Sequence, residues 1–256
     1  MKKDKNFIIS IDQGTTSSRA ILFNLKGQPV YSSQKEFTQY FPKSGWVEHD
    51  PEEIWSTTKK TLSEVIKKSK KIKGKILTIG ITNQRETTIL WDKKTGKAVY
   101  NAIVWQDRRQ EEFCKRLRKQ NKETLIFNRT GLLIDSYFSG TKIKWILDNV
   151  PLAKKLMKKK QLLFGTIDSF LIWRLTKGKV HATDATNASR TMIYNITNNQ
   201  WDETILKILK IDKNILPVVK DCADNYGSTH PSFTGKPISI SGVVGDQQSA
   251  SIGQCC

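Results

Sequence analysis

The 256-residue chain is long enough to bury a hydrophobic core, either as one large domain or as two small ones. Apolar residues make up 38% of it and charged residues 26%, a balance typical of soluble globular proteins, and no apolar run approaches the roughly 18 residues of a membrane-spanning helix. The basic N-terminus precedes an apolar stretch too short for a signal peptide, so we expect a cytoplasmic protein that does not bind membranes.

The net charge of +19 raises the question of nucleic-acid binding. Of the 43 basic residues 34 are lysines, whereas base readout and bidentate phosphate contacts favour arginine. The lysines cluster at residues 67–75 and 154–160, on the polar sides of predicted helices, without interleaved aromatic residues for base stacking. The pattern favours a solvated lysine-rich surface, and we expect no nucleic-acid partner.

Neither the cysteines nor the histidines have the spacing of a metal site. The four cysteines lie at positions 114, 222, 255 and 256, and the three histidines are far apart in sequence. We therefore expect free thiols in a reducing compartment, in keeping with a cytoplasmic protein.

The stretch at residues 7–23 predicts a β-hairpin with an unusual turn. Apolar strands at 7–11 and 20–23 flank a polar turn at 12–19, which holds one carboxylate, one glycine, four consecutive hydroxyl residues and one arginine. Gly14 lets the backbone approach a ligand, the hydroxyl residues supply donors, and Asp12 is placed like a ligand for a hard cation such as Mg²⁺. The pattern predicts a phosphate- and metal-binding hairpin, and a Ser/Thr-rich connecting turn is the alternative.

A further strand at 29–37 would complete an antiparallel β-meander with this hairpin. The helix that follows has clear start signals, with Asp50 as N-cap, Pro51 at the first position and Glu53 as the capping-box partner. The sequence KILTIGIT at 75–82 then predicts a strand buried on both faces. A meander, a helix and a buried strand together indicate an α/β fold, with a mixed sheet flanked by helices.

Polar side chains follow the ends of two predicted strands. The strand at 75–82 runs into NQRETT at 83–88, and a strand pair at 89–92 and 98–105, joined by a turn at 93–96, ends in WQDRR at 105–109. Open α/β sheets bind ligands just past the ends of their strands. We therefore expect one cleft that contains Arg85, Glu86, Trp105 and Asp107; an ordinary salt bridge and a core tryptophan are the alternative.

The rest of the chain predicts helices at 109–119, 141–149, 151–159, 167–175 and 201–209, with loops at 128–140, which carries Tyr137, and at 215–235. A last strand at 238–241 leads through two glycines to Asp246 at a helix start. The helix N-terminus supports the negative charge of a carboxylate there, so we expect Asp246 to be ionised and able to accept a proton. Simple helix capping is the alternative.

Together these motifs resemble the FGGY family of carbohydrate kinases, in the actin/hexokinase-like superfamily. The motif DQGTTSSR at 12–19 resembles the family's phosphate hairpin, and the segments 83–87, 105–108, 183–190 and 245–248 agree in the expected order. The Arg-Glu, Trp and Asp-Gln-Gln set is similar to that of members that phosphorylate glycerol rather than xylulose or gluconate. The resemblance implies an actin/hexokinase-like (ribonuclease H-like) N-terminal domain, which binds substrate, over residues 6–256.

The resemblance also implies a reaction and a set of site residues. The reaction is the Mg²⁺-dependent transfer of a phosphoryl group from ATP to glycerol, which gives ADP and sn-glycerol 3-phosphate in glycerol catabolism. The residues expected to hydrogen-bond glycerol are Arg85, Glu86, Tyr137, Asp246 and Gln247, with Trp105 packed on its carbon edge. Asp246 would be the general base. The ATP phosphates would meet Thr15, Thr16, Ser17 and Arg19, and Asp12 would act through Mg²⁺, directly or through water.

Two departures from the family pattern limit these expectations. Family members are about twice as long, so we expect the C-terminal nucleotide-binding domain to be absent from this chain and the chain to be inactive alone. Residues 232–237 lack the arginine of the loop through which fructose 1,6-bisphosphate regulates some members. A truncated, non-catalytic glycerol-binding remnant and a kinase for another polyol or ketose are the alternatives. A full-length protein is expected to form a homo-oligomer.

Overall fold

The structure, a computed structural model, describes residues 5–255, so the basic start of the chain at 1–4 and Cys256 lie outside the described residues. The strands are β1 (Asn6–Gln13), β2 (Ser17–Asn24), β3 (Pro29–Glu36), β4 (Glu48–His49), β5 (Lys75–Asn83), β6 (Ile89–Asp92), β7 (Ala102–Ile103), β8 (Leu162–Gly165), β9 (Ala182–Asp184), β10 (Tyr194–Asn195), β11 (Gln200–Trp201), β12 (Val218–Lys220) and β13 (Ser239–Gly245).

The helices are α1 (Pro51–Lys71), α2 (Glu111–Lys119), α3 (Glu123–Thr130), α4 (Ser139–Asn149), α5 (Pro151–Lys158), α6 (Ile167–Leu175), α7 (Ala185–Ala188), α8 (Glu203–Leu209), α9 (Pro231–Thr234) and α10 (Asp246–Gly253). Within residues 5–255, none of these helices combines the length and the apolar composition that crossing a membrane requires.

A five-stranded mixed sheet in the order β13-β5-β1-β2-β3 lies at the centre of the fold. Strands β1, β2 and β3 pair antiparallel with their neighbours, which confirms the predicted meander, and β1, β5 and β13 run parallel. Because β5 and β13 are reached through long crossover segments, the sheet is α/β in type, as the sequence predicts.

The start of helix α1 confirms one capping prediction and corrects another. The carboxylate of Asp50 accepts the Glu52 N–H at 2.8 Å, and Pro51 occupies the first helical position. Glu53 is not a capping-box partner. Its carboxylate accepts the Thr38 N–H at 2.8 Å and the Tyr40 hydroxyl at 2.7 Å, so these two donors take the place of the Asp50 N–H. Glu53 therefore ties the helix to the segment that follows β3.

The prediction that β5 is buried on both faces is wrong. Burial alternates along the strand: Ile76, Ile79 and Ile81 are buried with the apolar faces of α1 and α6, while Leu77 is 40% exposed. The opposite face carries small side chains such as Gly80, and it is only half-buried in the described residues. The apolar run therefore predicted the strand correctly, but it did not reveal that only one face of the strand is buried.

A second hydrophobic cluster lies beside the sheet. It is built around the helices α2, α3, α4, α5 and α8 and the two-stranded β6–β8 pair, with Ile143, Ile146 and Leu206 among its buried members. The predicted strand at 98–105 shortens to β7, which pairs with β4 rather than β6, although Trp91 and Ala98 form a single bridge. Sequence also missed α3, β8, β9, α7, β10 and β12, which are short and lack strong periodicity.

Candidate functional site

Three parallel strands of the central sheet end at the same level. In the register of the sheet, Gln13 of β1 is opposite Asn83 of β5, and Asn83 is opposite Gly245 of β13. The residues that follow, at the hairpin turn, at 84–86 and at the start of α10, therefore leave the sheet at one edge. This edge brings together the first, second and last motifs of the sequence, which are separated by more than sixty residues each.

The hairpin turn is shorter than predicted. β1 continues to Gln13 and β2 starts at Ser17, so Asp12, Ser17 and Arg19 are strand residues rather than turn residues. Asp12 is directly opposite Arg19, and their side chains form an ion pair at 2.5 Å. The polar residues extend the ladder because cross-strand pairing of opposite charges stabilises it.

Amide side chains from two other segments hold the turn. Gln84 donates to the Gly14 carbonyl at 3.0 Å, and Gln39 donates to the Thr15 carbonyl at 2.9 Å. His49 contacts Gln39 at 2.6 Å, and burial lowers the pKa of its imidazole to about 4, which keeps the ring neutral. The backbone N–H groups of Thr15 and Thr16 keep no partner among the described residues, so these two donors are available to a ligand.

Arg85 and Asp246 meet at this edge. The Arg85 side chain is only 4% exposed, and its Nε lies 3.3 Å from Asp246 Oδ1. The contact is an ion pair without hydrogen-bond alignment, because the buried Nε has no hydrogen-bond partner in the part of the chain that is described. Nη1 donates to Gln248 Oε1 at 3.2 Å. The close approach of Arg85 requires glycine at position 245, because a Cβ there would lie 2.5 Å from Arg85 Cδ.

Asp246 begins α10 directly after the N-cap Gly245, as the sequence predicts for a helix start. Its Oδ1 accepts the N–H of the next residue, Gln247, at 2.8 Å, but Asp246 is not the N-cap, so the capping alternative does not describe its position. Its side chain is 47% exposed, and Oδ2 makes no hydrogen bond within residues 5–255. The Gln247 side chain is exposed at the same helix start.

Glu86 is buried and conformationally unusual. Its φ of +61° lies in the left-handed region, which a non-glycine residue rarely adopts. Its carbonyl accepts the Ser139 hydroxyl at 2.9 Å, and its carboxylate accepts Arg190 Nε at 2.7 Å. Burial raises the pKa of the Glu86 carboxyl, while the hydrogen bond from Arg190 and the charges of Arg85, Arg190 and Lys142 oppose that rise.

Two aromatic residues complete the cluster. The Trp105 indole N–H donates to the Thr15 hydroxyl at 3.1 Å, and the rings of Trp105 and Tyr137 lie 5.5 Å apart. Burial raises the pKa of the Tyr137 phenol, and the nearby carboxylate of Glu86 adds to the rise. The residues predicted for the cleft thus converge, with one exception: Asp107 binds the Val47 N–H at 2.7 Å and the buried Arg109 instead.

Sequence reasoning missed Lys142. Its side chain is fully buried, and its amine donates to the Ser136 carbonyl at 2.8 Å and to the Tyr137 carbonyl. It therefore fixes the segment that carries Tyr137. Burial lowers the pKa of the amine to about 7. No signal in the sequence distinguishes this lysine from the many on helix surfaces.

The segment 183–190 locks the strand ends together. Asn83 and Asn187 exchange side-chain hydrogen bonds at 2.9 and 3.1 Å. The Thr186 hydroxyl accepts the Gly245 N–H at 2.8 Å, and Asp184 caps α7. Residues 183–190 thus connect the ends of β5 and β13. The sequence match indicated that this segment belongs to the family pattern, but it did not predict this structural role.

A metal ion at this edge would have few protein ligands. Within residues 5–255, no group of three or more His, Cys, Asp or Glu side chains is arranged to hold a metal. Asp12 has Oδ2 on Arg19 and leaves Oδ1 without a partner in that same range. One carboxylate oxygen, completed by phosphate oxygens and waters, is an ordinary environment for Mg²⁺, so the residues present fit this ion.

A cavity of about 900 Å³ lies elsewhere, between the start of α1, residues 95–101 and the end of α6. Several of its polar groups already have partners: Glu48 accepts from Tyr100 and Asn101, and Arg174 forms two bonds to Glu52. None of the candidate residues lines it. The strand-end cluster, with its unpartnered donors and acceptors, is the better candidate site.

Known proteins resemble the chain over nearly all of its length. The sequence model of the FGGY family of carbohydrate kinases, N-terminal domain, matches residues 7–253. Glycerol kinase from Rhizobium meliloti is 56% identical over 250 residues, which cover 98% of this chain and 50% of the relative. Glycerol kinase from Alkaliphilus metalliredigens is 57% identical over 98% of this chain and 51% of the relative. The chain therefore spans about half the length of these curated relatives.

Solved structures of two carbohydrate kinases are also similar to the chain over nearly all of its length. Glycerol kinase from Plasmodium falciparum with ADP is 40% identical, with a TM-score of 0.94 over 98% of this chain and 50% of that one. Gluconate kinase from Lactobacillus acidophilus is 26% identical, with a TM-score of 0.85 over 97% and 49%. The predicted actin/hexokinase-like fold is confirmed. The chain belongs to the FGGY family of carbohydrate kinases and matches its N-terminal domain.

Proposed function

We propose that the chain is the glycerol-binding half of an ATP-dependent glycerol kinase, which produces sn-glycerol 3-phosphate and ADP. The observation that carries the proposal is the convergence of Arg85, Glu86, Trp105, Tyr137 and Asp246 at one sheet edge. Identities of 56–57% to the two glycerol kinases above, against 26% to the gluconate kinase, favour glycerol over a sugar acid.

The cluster offers what a small polyol requires. The unpartnered Arg85 Nε is a buried donor, and the carboxylates of Glu86 and Asp246 are acceptors, so each can serve a hydroxyl group. A buried donor without a partner is costly, and a substrate hydroxyl would relieve that cost. Trp105 and Tyr137 provide an aromatic surface for the carbon atoms, and Gln247 a further amide.

Asp246 is the proposed general base. The attacking hydroxyl oxygen of glycerol bonds to the γ-phosphorus of ATP, its proton passes to the free Oδ2 of Asp246, and the bond from that phosphorus to the ADP oxygen breaks. The Arg85 guanidinium and the N-terminus of α10 stabilise the carboxylate in place. Catalysis then rests on positioning and electrostatic stabilisation.

We propose that the hairpin of β1 and β2 forms one side of the cleft, the hairpin wall, and that this side binds the ATP phosphates. The free N–H groups of Thr15 and Thr16, the Ser17 hydroxyl and the Arg19 guanidinium would contact the ATP phosphates. Asp12 would hold Mg²⁺, directly or through water, and the ion would supply neutralisation of phosphate charge. Since the relatives are twice as long, we propose that the adenosine part binds in the half of their length that this chain does not match, and that turnover requires both halves.

The cellular setting is part of the proposal. Cys114, Cys222 and Cys255 are free thiols, and the proposed reaction consumes ATP, so we place it in the cytoplasm. We also propose that the full-length protein forms a homo-oligomer.

A glycerol titration of the 256-residue chain, followed by amide and indole NMR signals, tests the proposal. We expect saturable shifts at the Trp105 indole and at Asp246, with glycerol binding tighter than xylulose or gluconate. Trp105→Leu is expected to weaken binding about tenfold, or by about 1.4 kcal/mol, because the carbon edge loses its surface.

Trp201→Phe is the matched control for that variant, since the Trp201 indole binds the Pro217 carbonyl away from the site. Shifts that fail to saturate with glycerol, or tighter binding of xylulose, would contradict the proposal.

A further inference from the structure

Arg190 lies beside the candidate polyol site without being part of the predicted set. It follows the short helix α7 and reaches Glu86 from a different segment of the chain than Arg85. Its Nε donates to Glu86 Oε1 at 2.7 Å, while the two residues are 104 positions apart in sequence. Its guanidinium carbon lies 4.9 Å from the ring centroid of Phe138 and 5.8 Å from that of Tyr137.

The two partners differ in exposure. The Glu86 side chain is 2% exposed, whereas that of Arg190 is 27% exposed. A buried carboxylate remains charged only if neighbouring groups compensate for the water it has lost. Arg190 supplies the one direct side-chain hydrogen bond that the Glu86 carboxylate receives from the described residues.

The Glu86 backbone also needs support. A φ of +61° is costly for a residue with a Cβ, by roughly 1–3 kcal/mol. The Ser139 hydroxyl fixes the Glu86 carbonyl, but it leaves the side-chain torsions free. The Arg190 contact fixes the carboxylate, and the Phe138 ring stacked under the guanidinium fixes Arg190 in turn.

We infer that Arg190 is a positioning residue, which holds the Glu86 carboxylate ionised and oriented so that one oxygen remains available to a substrate hydroxyl. The inference rests on the proposed polyol binding. It assigns Arg190 a part in substrate recognition through Glu86, without direct contact to the reacting atoms. Oε1 is taken by Arg190, and Oε2 has no hydrogen-bond partner among residues 5–255, which leaves it for the ligand.

Four groups face the Glu86 carboxyl. They are Arg85 on the same segment, Arg190 after α7, Lys142 on α4, and the Tyr137 phenol from the loop before α4. Lys142 itself titrates at about pH 7, because burial lowers the pKa of its amine. A pH-dependence assay must therefore separate Glu86 from Lys142, and the variant Glu86→Gln does so.

The test is a pH titration of the glutamate side-chain carboxyl carbons by NMR in the 256-residue chain, without ligand, with Glu86 assigned by its loss in Glu86→Gln. We expect Arg190→Gln to raise the measured pKa of the Glu86 carboxyl by about 1 or more, because burial remains and the compensating partner is lost. Arg190→Lys, which keeps the charge, should restore part of the original value.

A purely structural role predicts the opposite direction. If Arg190 only holds the fold, its loss exposes Glu86, and the pKa of the carboxyl falls toward the ordinary value near 4.5 for glutamate. That result, or an unchanged pKa, would overturn the inference.

The second arm measures glycerol affinity across pH 5–8. We expect Arg190→Gln to bind about tenfold more weakly at pH 7 and to lose further affinity as the pH falls and Glu86 takes up its proton. In Arg190→Gln with Glu86→Gln that extra loss should vanish, leaving only the contribution of Lys142. An affinity of Arg190→Gln equal to that of the parent at every pH contradicts the inference.

The two arms separate this inference from the proposed function. If the parent chain does not bind glycerol at all, the proposed function fails, and the ligand-free titration still decides whether Arg190 keeps Glu86 ionised. If the parent binds glycerol and the Glu86 pKa does not respond to Arg190, the proposed function stands and the inference fails.

Discussion

The two walls of the candidate cleft are built on different principles. The hairpin wall carries its charges at the surface: Asp12 and Arg19 pair across two strands with side chains 26% and 44% exposed. The polyol wall consists of Arg85, Glu86, Trp105, Tyr137 and Asp246. It buries two of its charges, since the side chains of Arg85 and Glu86 are only 4% and 2% exposed, whereas that of Asp246 is 47% exposed. The charges of the hairpin wall are therefore solvated, while Arg85 and Glu86 are desolvated before any ligand arrives.

This difference in exposure determines how much free energy each wall loses when its charged groups change partners. Exposed ion pairs contribute about 0–1 kcal/mol, so the hairpin pair can exchange its partner for a phosphate or a cation at little cost. Buried charges cost several kcal/mol unless they are paired, and here the hydrogen bond from Arg190 and the charge of Arg85 offset part of that cost at Glu86. The polyol wall is thus pre-organised, at the expense of strain at Glu86 and an unpartnered donor on Arg85.

The largest expected effect is on chemistry at the polyol wall. In a protein that carries both halves of the length of its relatives, we expect Asp246→Asn to reduce phosphorylation of glycerol by about 10²–10⁴-fold, because the proton acceptor is removed with little change of shape. Glycerol affinity should change only a few-fold. A coupled assay of ADP release measures the rate.

The matched control is Asp224→Asn, which removes a carboxylate paired with Lys220 outside the cluster. Activity of Asp246→Asn within a few-fold of the parent would reject Asp246 as the base.

The next effect tests the close approach of Gly245 to Arg85. The added Cβ of Gly245→Ala would lie 2.5 Å from Arg85 Cδ, so the Arg85 side chain must leave its present position. We expect glycerol affinity to fall about tenfold or more, as measured by NMR titration. Gly253→Ala is the control on the same helix, since its Cβ meets no atom within 4 Å. Equal affinities for the two variants would show that Arg85 need not sit where the structure has it.

A smaller effect concerns Lys142, whose buried amine has its pKa lowered to about 7. The unfolded chain then binds one more proton than the folded chain above that pH, so the stability contribution of Lys142 rises with pH. Between pH 7 and 9, we expect the free energy of unfolding of the parent to rise by about 2 kcal/mol relative to Lys142→Met. Urea unfolding at both pH values measures it.

Lys155→Met is the control for Lys142, because Lys155 is an exposed lysine on α5. Its pH profile should follow that of the parent. If Lys142→Met also follows the parent, the amine is not desolvated in the way that its burial implies.

The smallest effect is at the hairpin wall. We expect Arg19→Gln to change the free energy of unfolding by less than about 1 kcal/mol, because the Asp12–Arg19 pair is exposed. Raising the salt concentration should remove even that difference, since screening acts on exposed charges. A loss of several kcal/mol on urea unfolding would contradict the contrast between the walls.

The sequence predicted the positions of the site better than the contacts that hold it. Arg85, Glu86 and Trp105 follow strand ends and Asp246 follows two glycines at a helix start, and those signals are local. The strand ends predict a shared cleft for the first three, whereas the family resemblance adds Asp246 to it. The prediction for Asp107 is wrong although it rests on the same kind of signal, because a strand-end position does not reveal that the buried Arg109 binds this carboxylate.

The missed residues act across long separations. Lys142 and Arg190 reach Tyr137 and Glu86 only after α4 and α7 have packed, and His49, Gln39 and Gln84 meet at the turn in the same way. Glu53 shows the same limit in another way. Its position three residues after Asp50 predicts a capping box, but its carboxylate binds donors on Thr38 and Tyr40 from a neighbouring segment instead. Side-chain pairing between distant segments has no periodic signature in a single sequence.

We propose that glycerol binds at the sheet edge between the two walls. This placement is tested by intermolecular NOEs from glycerol to the ring protons of an isotope-labelled chain. We expect NOEs to the rings of Trp105 and Tyr137, which lie 5.5 Å apart. NOEs to Tyr100 or Trp173 in the large cavity, with none to Trp105 and Tyr137, would contradict it.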